Sequence, residues 1–155
     1  MDGKLPERKR LYHEVPSGVD PVEAVFFVTI CCAERGGDFL VSDSVGTGLV
    51  ESVRYQNEGG VWWCSAFVVM PDHVHGLIRF GNRDAGVGMR EVMKRWKAWT
   101  AREFRIRWQR GWFDHRLRSE EREREKAMYV LENPVRAGLV EKWEDWGFWF
   151  VGDGE

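Results

Sequence analysis

Cysteine is scarce: Cys31, Cys32 and Cys64 are the only three in 155 residues, and no Cys-x-x-Cys pair occurs among them. An odd set without paired spacing builds neither a disulfide scaffold nor a thiolate zinc site, so a reducing cytoplasm is the expected compartment. Long apolar runs are also missing. None approaches the roughly 18 residues of a membrane span, and the opening MDGKLPERKR turns polar where a secretory leader turns apolar. Secretion and membrane insertion are therefore not expected. Excess charge of one sign is absent too, with 23 Lys and Arg against 25 Asp and Glu and a formal charge of -2. A neutral total neither announces a nucleic-acid partner nor excludes one, because a binding face depends on where the charges sit.

What is present is a chain that is 43% hydrophobic and 14% aromatic, enough for one compact domain with a sizeable core. Residues 1–24 carry three prolines and the cluster Glu7, Arg8, Lys9 and Arg10, and read as a basic, proline-containing arm. Residues 25–140 hold the periodic patterns of the domain. Residues 141–155, with Trp143, Trp146, Phe148, Trp149 and Phe150, form a tail aromatic enough to pack back on it.

Val25 to Cys32 is β-branched and aromatic with few polar interruptions, the pattern of an interior strand. A weakly specified helix is expected over about 43–56, interrupted by Gly46 and Gly48, each costing about 1 kcal/mol of helix stability. Val61 to Met70 and His73 to Phe80 are apolar runs separated by Pro71-Asp72, and read as adjacent strands. Met89, Val92, Met93, Trp96 and Trp99 recur at helical spacing, which predicts a helix from about Val87 to Arg110. Residues 112–118 suit an edge strand. Ser119 then suits the cap of a helix that runs through Tyr129 and stops near Asn133, because Pro134 restricts the residue before it. Strands alternating with helices imply an α+β fold, one antiparallel sheet covered by helices on one face.

His73 and His75 are two apart on a strand, so their rings share a face while Val74 points the other way. Two imidazoles so placed suit a divalent cation, with a further oxygen donor favouring Mg²⁺ or Mn²⁺ over structural zinc; two solvated rings at a strand end suit the same spacing. Asp72 reads as a turn former. Tyr129 and Asn133 share a helical face. A tyrosine there is either a core residue or a nucleophile for a phosphodiester, and as a nucleophile it needs a metal or positive charge close by. Between Val87 and Arg110, eight positive residues face only Glu91 and Glu103. Arg90, Lys94, Lys97, Arg102 and Arg105 from this set are candidate phosphate contacts, with Arg8, Lys9 and Arg10 in the arm and with Arg116 and Arg136. A solvated helix face is the alternative for the helical charges. Trp62 and Trp63 alternate on their strand, so one of them is a candidate stacking platform.

Three ordered blocks, Val69 to Gly76 (VMPDHVHG), Trp108 to Arg116 (WQRGWFDHR) and Tyr129 to Val140 (YVLENPVRAGLV), resemble the single-tyrosine HUH transposases, and more closely their REP-associated tyrosine transposase branch. The resemblance implies a ferredoxin-like or RRM-like sheet whose central strand displays His73 and His75, with Tyr129 held over them by the last helix. It implies a metal site of His73, His75 and Asn133 for Mg²⁺ or Mn²⁺, and Tyr129 as the nucleophile assisted by the histidines. The implied substrate is single-stranded DNA, hairpin-forming and palindromic, nicked and rejoined through a 5′-phosphotyrosine without ATP. A monomer is preferred, with a homodimer as the alternative. Two rival functions remain: a hairpin-binding protein that does not cleave, and a metal-dependent nuclease that activates water.

Overall fold

The structure is a computed structural model that describes residues 24–81, 87–118 and 123–153. The arm cluster Arg8, Lys9 and Arg10 and the expected cap Ser119 lie outside the described residues.

Among the described residues the strands are β1 (Val25–Cys31), β2 (Trp63–Val69), β3 (His73–Arg79), β4 (Phe113–Arg116) and β5 (Trp149–Val151), and the α-helices are α1 (Asp43–Glu58), α2 (Met89–Phe104), α3 (Glu123–Leu131) and α4 (Asn133–Arg136). The sheet order is β4-β1-β3-β2-β5. Every neighbouring pair is antiparallel. β1 and β2 therefore run parallel with β3 between them, and α1 makes the crossover. The first four strands with α1 and α2 form a ferredoxin-like βαββαβ unit, so the expected antiparallel α+β class is the one observed.

Strand alternation creates two cores. On β1, Phe26, Val28 and Ile30 face α1 and α2, together with Val74 and Ile78 of β3. Val25 and Phe27 face the other side, where Leu77 clusters with Ala127 of α3, and Ala66 and Val68 meet Val130 and Leu131 of the same helix. A bulge at Ser65 changes the parity of β2, so that Cys64 and Phe67 share one face and Ala66 and Val68 the other. Helices consequently cover both faces, where the sequence reading placed them on one. The apolar residues on the second face of β1, β2 and β3 need a cover, and α3 supplies it.

Helix α1 is longer than its glycines suggested, and those glycines have a packing role. A Cβ at Gly46 would lie 2.6 Å from Phe148 Cδ1 and 3.0 Å from the Leu40 carbonyl, and one at Gly48 would collide with the Phe104 ring. The absent side chains let the tail and α2 approach closely.

Helix α2 ends six residues before the expected Arg110. Arg105 takes a left-handed conformation at φ 61°, and the chain doubles back beside the end of β1. There Ala33 N–H donates to the Arg107 carbonyl at 2.7 Å and Gln109 N–H to that of Cys31 at 2.8 Å. Trp108 returns its ring to within 5.9 Å of Trp96, and its indole N–H donates to Thr100 Oγ1 at 3.0 Å. Periodicity in the helix alone could not show that this ladder with β1 competes for the backbone of residues 106–109. Trp62, a candidate platform, is 2% exposed and packs against Phe80 and Trp96.

Candidate functional site: a histidine pair beside an exposed tyrosine

His73 and His75 stand on the central strand, on the face that α3 covers, while Val74 between them is buried in the opposite core. Their ring centroids are 4.8 Å apart, edge to face. Each Nδ1 has a partner: His73 Nδ1 lies 2.7 Å from Asp72 Oδ1, and His75 Nδ1 lies 2.9 Å from Thr29 Oγ1. Thr29 is the direct cross-strand neighbour of His75 in the β1–β3 register. With the proton on Nδ1, each ring keeps its Nε2 lone pair for a metal, the arrangement by which outer partners orient imidazole ligands.

The electrostatics favour a neutral His75. Burial, together with positive charge from His73, Arg136 and Arg35, pushes His75 down to about 3. Partial burial works to raise the Asp72 carboxyl, but hydrogen bonds outweigh it and hold that carboxyl well below the usual range. The bonds come from Arg35 Nε at 2.9 Å, Gly36 N–H at 2.7 Å and His73. Asp72 therefore does more than form a turn, since it ties His73 to the loop after β1.

Phe27, on β1, links the histidines to α3. Its ring stacks on His75 at 5.3 Å and 19°, and Tyr129 meets it edge-on at 6.3 Å. Helix α3 is fastened at one end by Glu123, paired with Arg79 of β3 at 2.6 Å, and at the other by buried Val130 and Leu131. Tyr129 itself is 49% exposed, which sets aside the reading of a core tyrosine. Two cations accompany its ring. The Arg136 guanidinium lies 3.7 Å from the centroid and donates to the Tyr129 carbonyl at 2.8 Å, and Lys126 Nζ lies 5.0 Å from the centroid.

Asn133 opens α4 and donates its amide N–H to the Val130 carbonyl at 3.2 Å, so Oδ1 is the atom it has for a metal. Among the described residues no three His, Cys, Asp or Glu side chains cluster as a metal cage. The two imidazoles, with ring centroids 4.8 Å apart, are the nitrogen donors that this face offers to a cation.

The charges of α2 are elsewhere. Met89, Val92, Met93 and Trp96 pack that helix on the sheet face opposite the histidines, and Arg90, Lys94 and Arg102 are exposed on its outer side. Lys97 donates to the Gln109 and Gly111 carbonyls at 2.8 and 2.6 Å, which makes it a clamp on the segment after α2. Arg116 sits opposite Phe26 and therefore also faces away from the histidines, while His115 sits opposite Phe27 on the histidine face. Arg105 lines a cleft near Asp72. Of the positive residues singled out from the sequence that are described, Arg136 is the one that reaches Tyr129. Lys126, Phe27 and Thr29 were missed. Lys126 is legible as the residue three before Tyr129 on one helix, whereas Phe27 and Thr29 needed the strand register.

The fold and this face define a class: a ferredoxin-like α+β domain that displays a histidine pair on its central strand and a tyrosine on an adjoining helix. Known proteins give that class a closer neighbour. No protein-family model matches the chain. The REP-associated tyrosine transposase of Escherichia coli (strain K12) is 30% identical over 86 residues, 54% of this chain and 51% of that protein, so the match spans about half the length of the curated relative. A solved structure of a REP-associated tyrosine transposase bound to a REP hairpin is similar with a TM-score of 0.60 at 23% identity, over 88% of this chain and 81% of that one. At that identity the structural likeness establishes the shared fold. The resemblance read from the three motif blocks is borne out: this chain is similar to REP-associated tyrosine transposases.

Proposed function

We propose that the protein is a DNA-strand transferase that nicks and rejoins single-stranded DNA at hairpin-forming palindromes, with Tyr129 as nucleophile. The observation that carries the reading is the convergence on one sheet face of His73, His75 and an exposed Tyr129 through the shared ring of Phe27. His73, His75 and Asn133 would hold Mg²⁺ or Mn²⁺, which when bound polarises the scissile phosphate and offsets charge developing on its oxygens.

The chain's own residues do the rest. Asp72 and Thr29 orient the two imidazoles. Tyr129 Oη attacks phosphorus as its proton departs, the bond to the 3′-oxygen breaks, and that oxygen leaves protonated as a 3′-hydroxyl. The 5′-phosphate stays on Tyr129. Attack by a 3′-hydroxyl on this linkage reverses the exchange and joins strands, with one phosphodiester made for each one broken. Lys126 and Arg136, beside the tyrosine ring, supply positive charge where the phosphate must sit.

Hairpin DNA is the proposed partner because the similar solved protein is bound to one. The test incubates the protein and its Tyr129→Phe variant with labelled single-stranded hairpins, with Mn²⁺ or with chelator, and resolves products on a denaturing protein gel. A metal-dependent protein–DNA band that requires Tyr129 is the expected result. Cleavage retained by Tyr129→Phe would replace this reading with the water-activating nuclease, and binding without any cleavage would replace it with the non-cleaving hairpin binder.

A further inference from the structure

A cleft of about 400 Å³ opens where β1 ends and β3 begins, one residue from His73. Its walls are held by backbone hydrogen bonds on three sides. Cys32 N–H donates to the Asp72 carbonyl, Ala33 N–H to that of Arg107, and Leu40 N–H to that of Pro71. The cleft is therefore built into the junction of three segments.

Apart from Asp72 and its partner Arg35, its lining consists of groups that the reaction above does not use. Phe39 is 48% exposed at the cleft, an apolar ring in a turn otherwise anchored by fully buried Leu40. Arg105 and Arg107 are exposed on the opposite segment. Arg105 takes a left-handed conformation where it ends α2, which brings the following Arg107 back towards β1. The charge of Arg35 is taken up by Asp72. Glu34 and Asp38 balance Arg105 and Arg107, leaving the cleft nearly neutral. That balance suits one base with its phosphate better than a run of phosphates. An exposed aromatic face with arginines beside it is how proteins hold single-stranded bases.

We propose that this cleft binds one unpaired nucleotide of the DNA strand next to the phosphate attacked by Tyr129, its base on Phe39 and its phosphate on Arg105 and Arg107. The proposal rests on the strand-transferase reading and adds to it a subsite that sets which phosphate reaches the histidines. Position is the reason. The cleft wall includes Asp72, whose carboxylate lies 2.7 Å from His73 Nδ1, so a nucleotide seated there shares one side chain with the histidine pair.

The test measures, by fluorescence anisotropy, the affinity of hairpins that carry a short single-stranded flank of mixed sequence, intact or with one abasic position moved along the flank. In the unsubstituted protein one abasic position should weaken binding about tenfold, the size of one lost stacked base. In Phe39→Ala, and in Phe39→Leu, which keeps apolar volume without a stacking face, the same abasic position should cost nothing further. Arg107→Ala should weaken the intact flanked hairpin and flatten its salt dependence. If the unsubstituted protein forms the Tyr129 adduct but no flank position couples to Phe39, the subsite is overturned and the strand-transferase reading stands. If no adduct forms and no flank is bound, both fall.

Discussion

Thr29 and His75 face each other across the β1–β3 ladder, and the threonine hydroxyl lies 2.9 Å from His75 Nδ1. Removing that hydroxyl while keeping the shape isolates its effect on the ring. Thr29→Val should leave the fold intact and lower metal-supported adduct formation by about 10–100-fold, as losing an outer partner of a histidine ligand does. Thr29→Ser should restore most of it. A Mn²⁺ titration of adduct yield for the three proteins gives the comparison, and equal midpoints would remove Thr29 from the site.

Lys126 and Arg136 flank the Tyr129 ring from α3 and α4. Lys126→Gln and Arg136→Gln should each slow adduct formation by about tenfold or more, on the scale of losing one donor to developing charge. Rates measured with saturating DNA separate this from weaker binding. An unchanged rate in both variants would assign the two cations to holding the helix alone.

The pH dependence of stability follows from His75. Its imidazole titrates at about 3 in the fold, against an ordinary value of about 6.5, so the unfolded chain binds more protons between those values. Stability should be fully present above about 6.5 and fall as pH drops towards 3. Asp72, whose carboxyl is also held low, adds loss in the same direction at the acid end. Urea midpoints measured from pH 7.5 down to 4 should decline, and His75→Gln should decline less. A parallel decline in both would assign the acid sensitivity to other groups.

The aromatic tail buttresses the helix that carries Tyr129. Trp143, Trp146 and Trp149 pack on the cluster formed by Ala66, Val68, Met70, Val130 and Leu131, and the Trp146 indole N–H donates to the Val69 carbonyl at 2.9 Å. Trp149→Ala should cost about 2–3 kcal/mol, below the range for a wholly buried tryptophan because this ring is half-buried. It should also reduce adduct yield, since Val130 neighbours Tyr129. Urea denaturation and the gel assay report the two effects separately.

Gly46 offers a contrast between local propensity and packing. Alanine favours an isolated helix over glycine by about 1 kcal/mol, yet its Cβ would press on Phe148 and the Leu40 carbonyl. Gly46→Ala should destabilise the protein by about 1–2 kcal/mol, the cost of overpacking. A raised denaturation midpoint would show that Phe148 yields instead.

Much of this was legible in one dimension. The β-branched run of β1 and the Pro71-Asp72 break placed the central strands, and the spacing of His73 and His75 put both rings on one face, since alternation on a strand is set by backbone geometry. The order of the three motif blocks supplied Tyr129 and Asn133. Lys126 was legible in principle at helical spacing from the tyrosine. Other features depended on partners distant in the chain. Arg90, Lys94 and Arg102 carry the charge of a binding face, but the apolar side of α2 turns that helix to the sheet face away from the histidines.

Local sequence thus determined where the main strands and helices lie and that His73 and His75 share a face, because those follow from backbone periodicity and from where proline and glycine fall. Tertiary structure alone decided that Thr29 meets His75, that Phe27 bridges His75 to Tyr129, and that the chain after Arg105 turns back to close a cleft beside His73. Each of these is a contact between residues far apart in sequence, chosen by strand register and by which face had apolar surface left to bury.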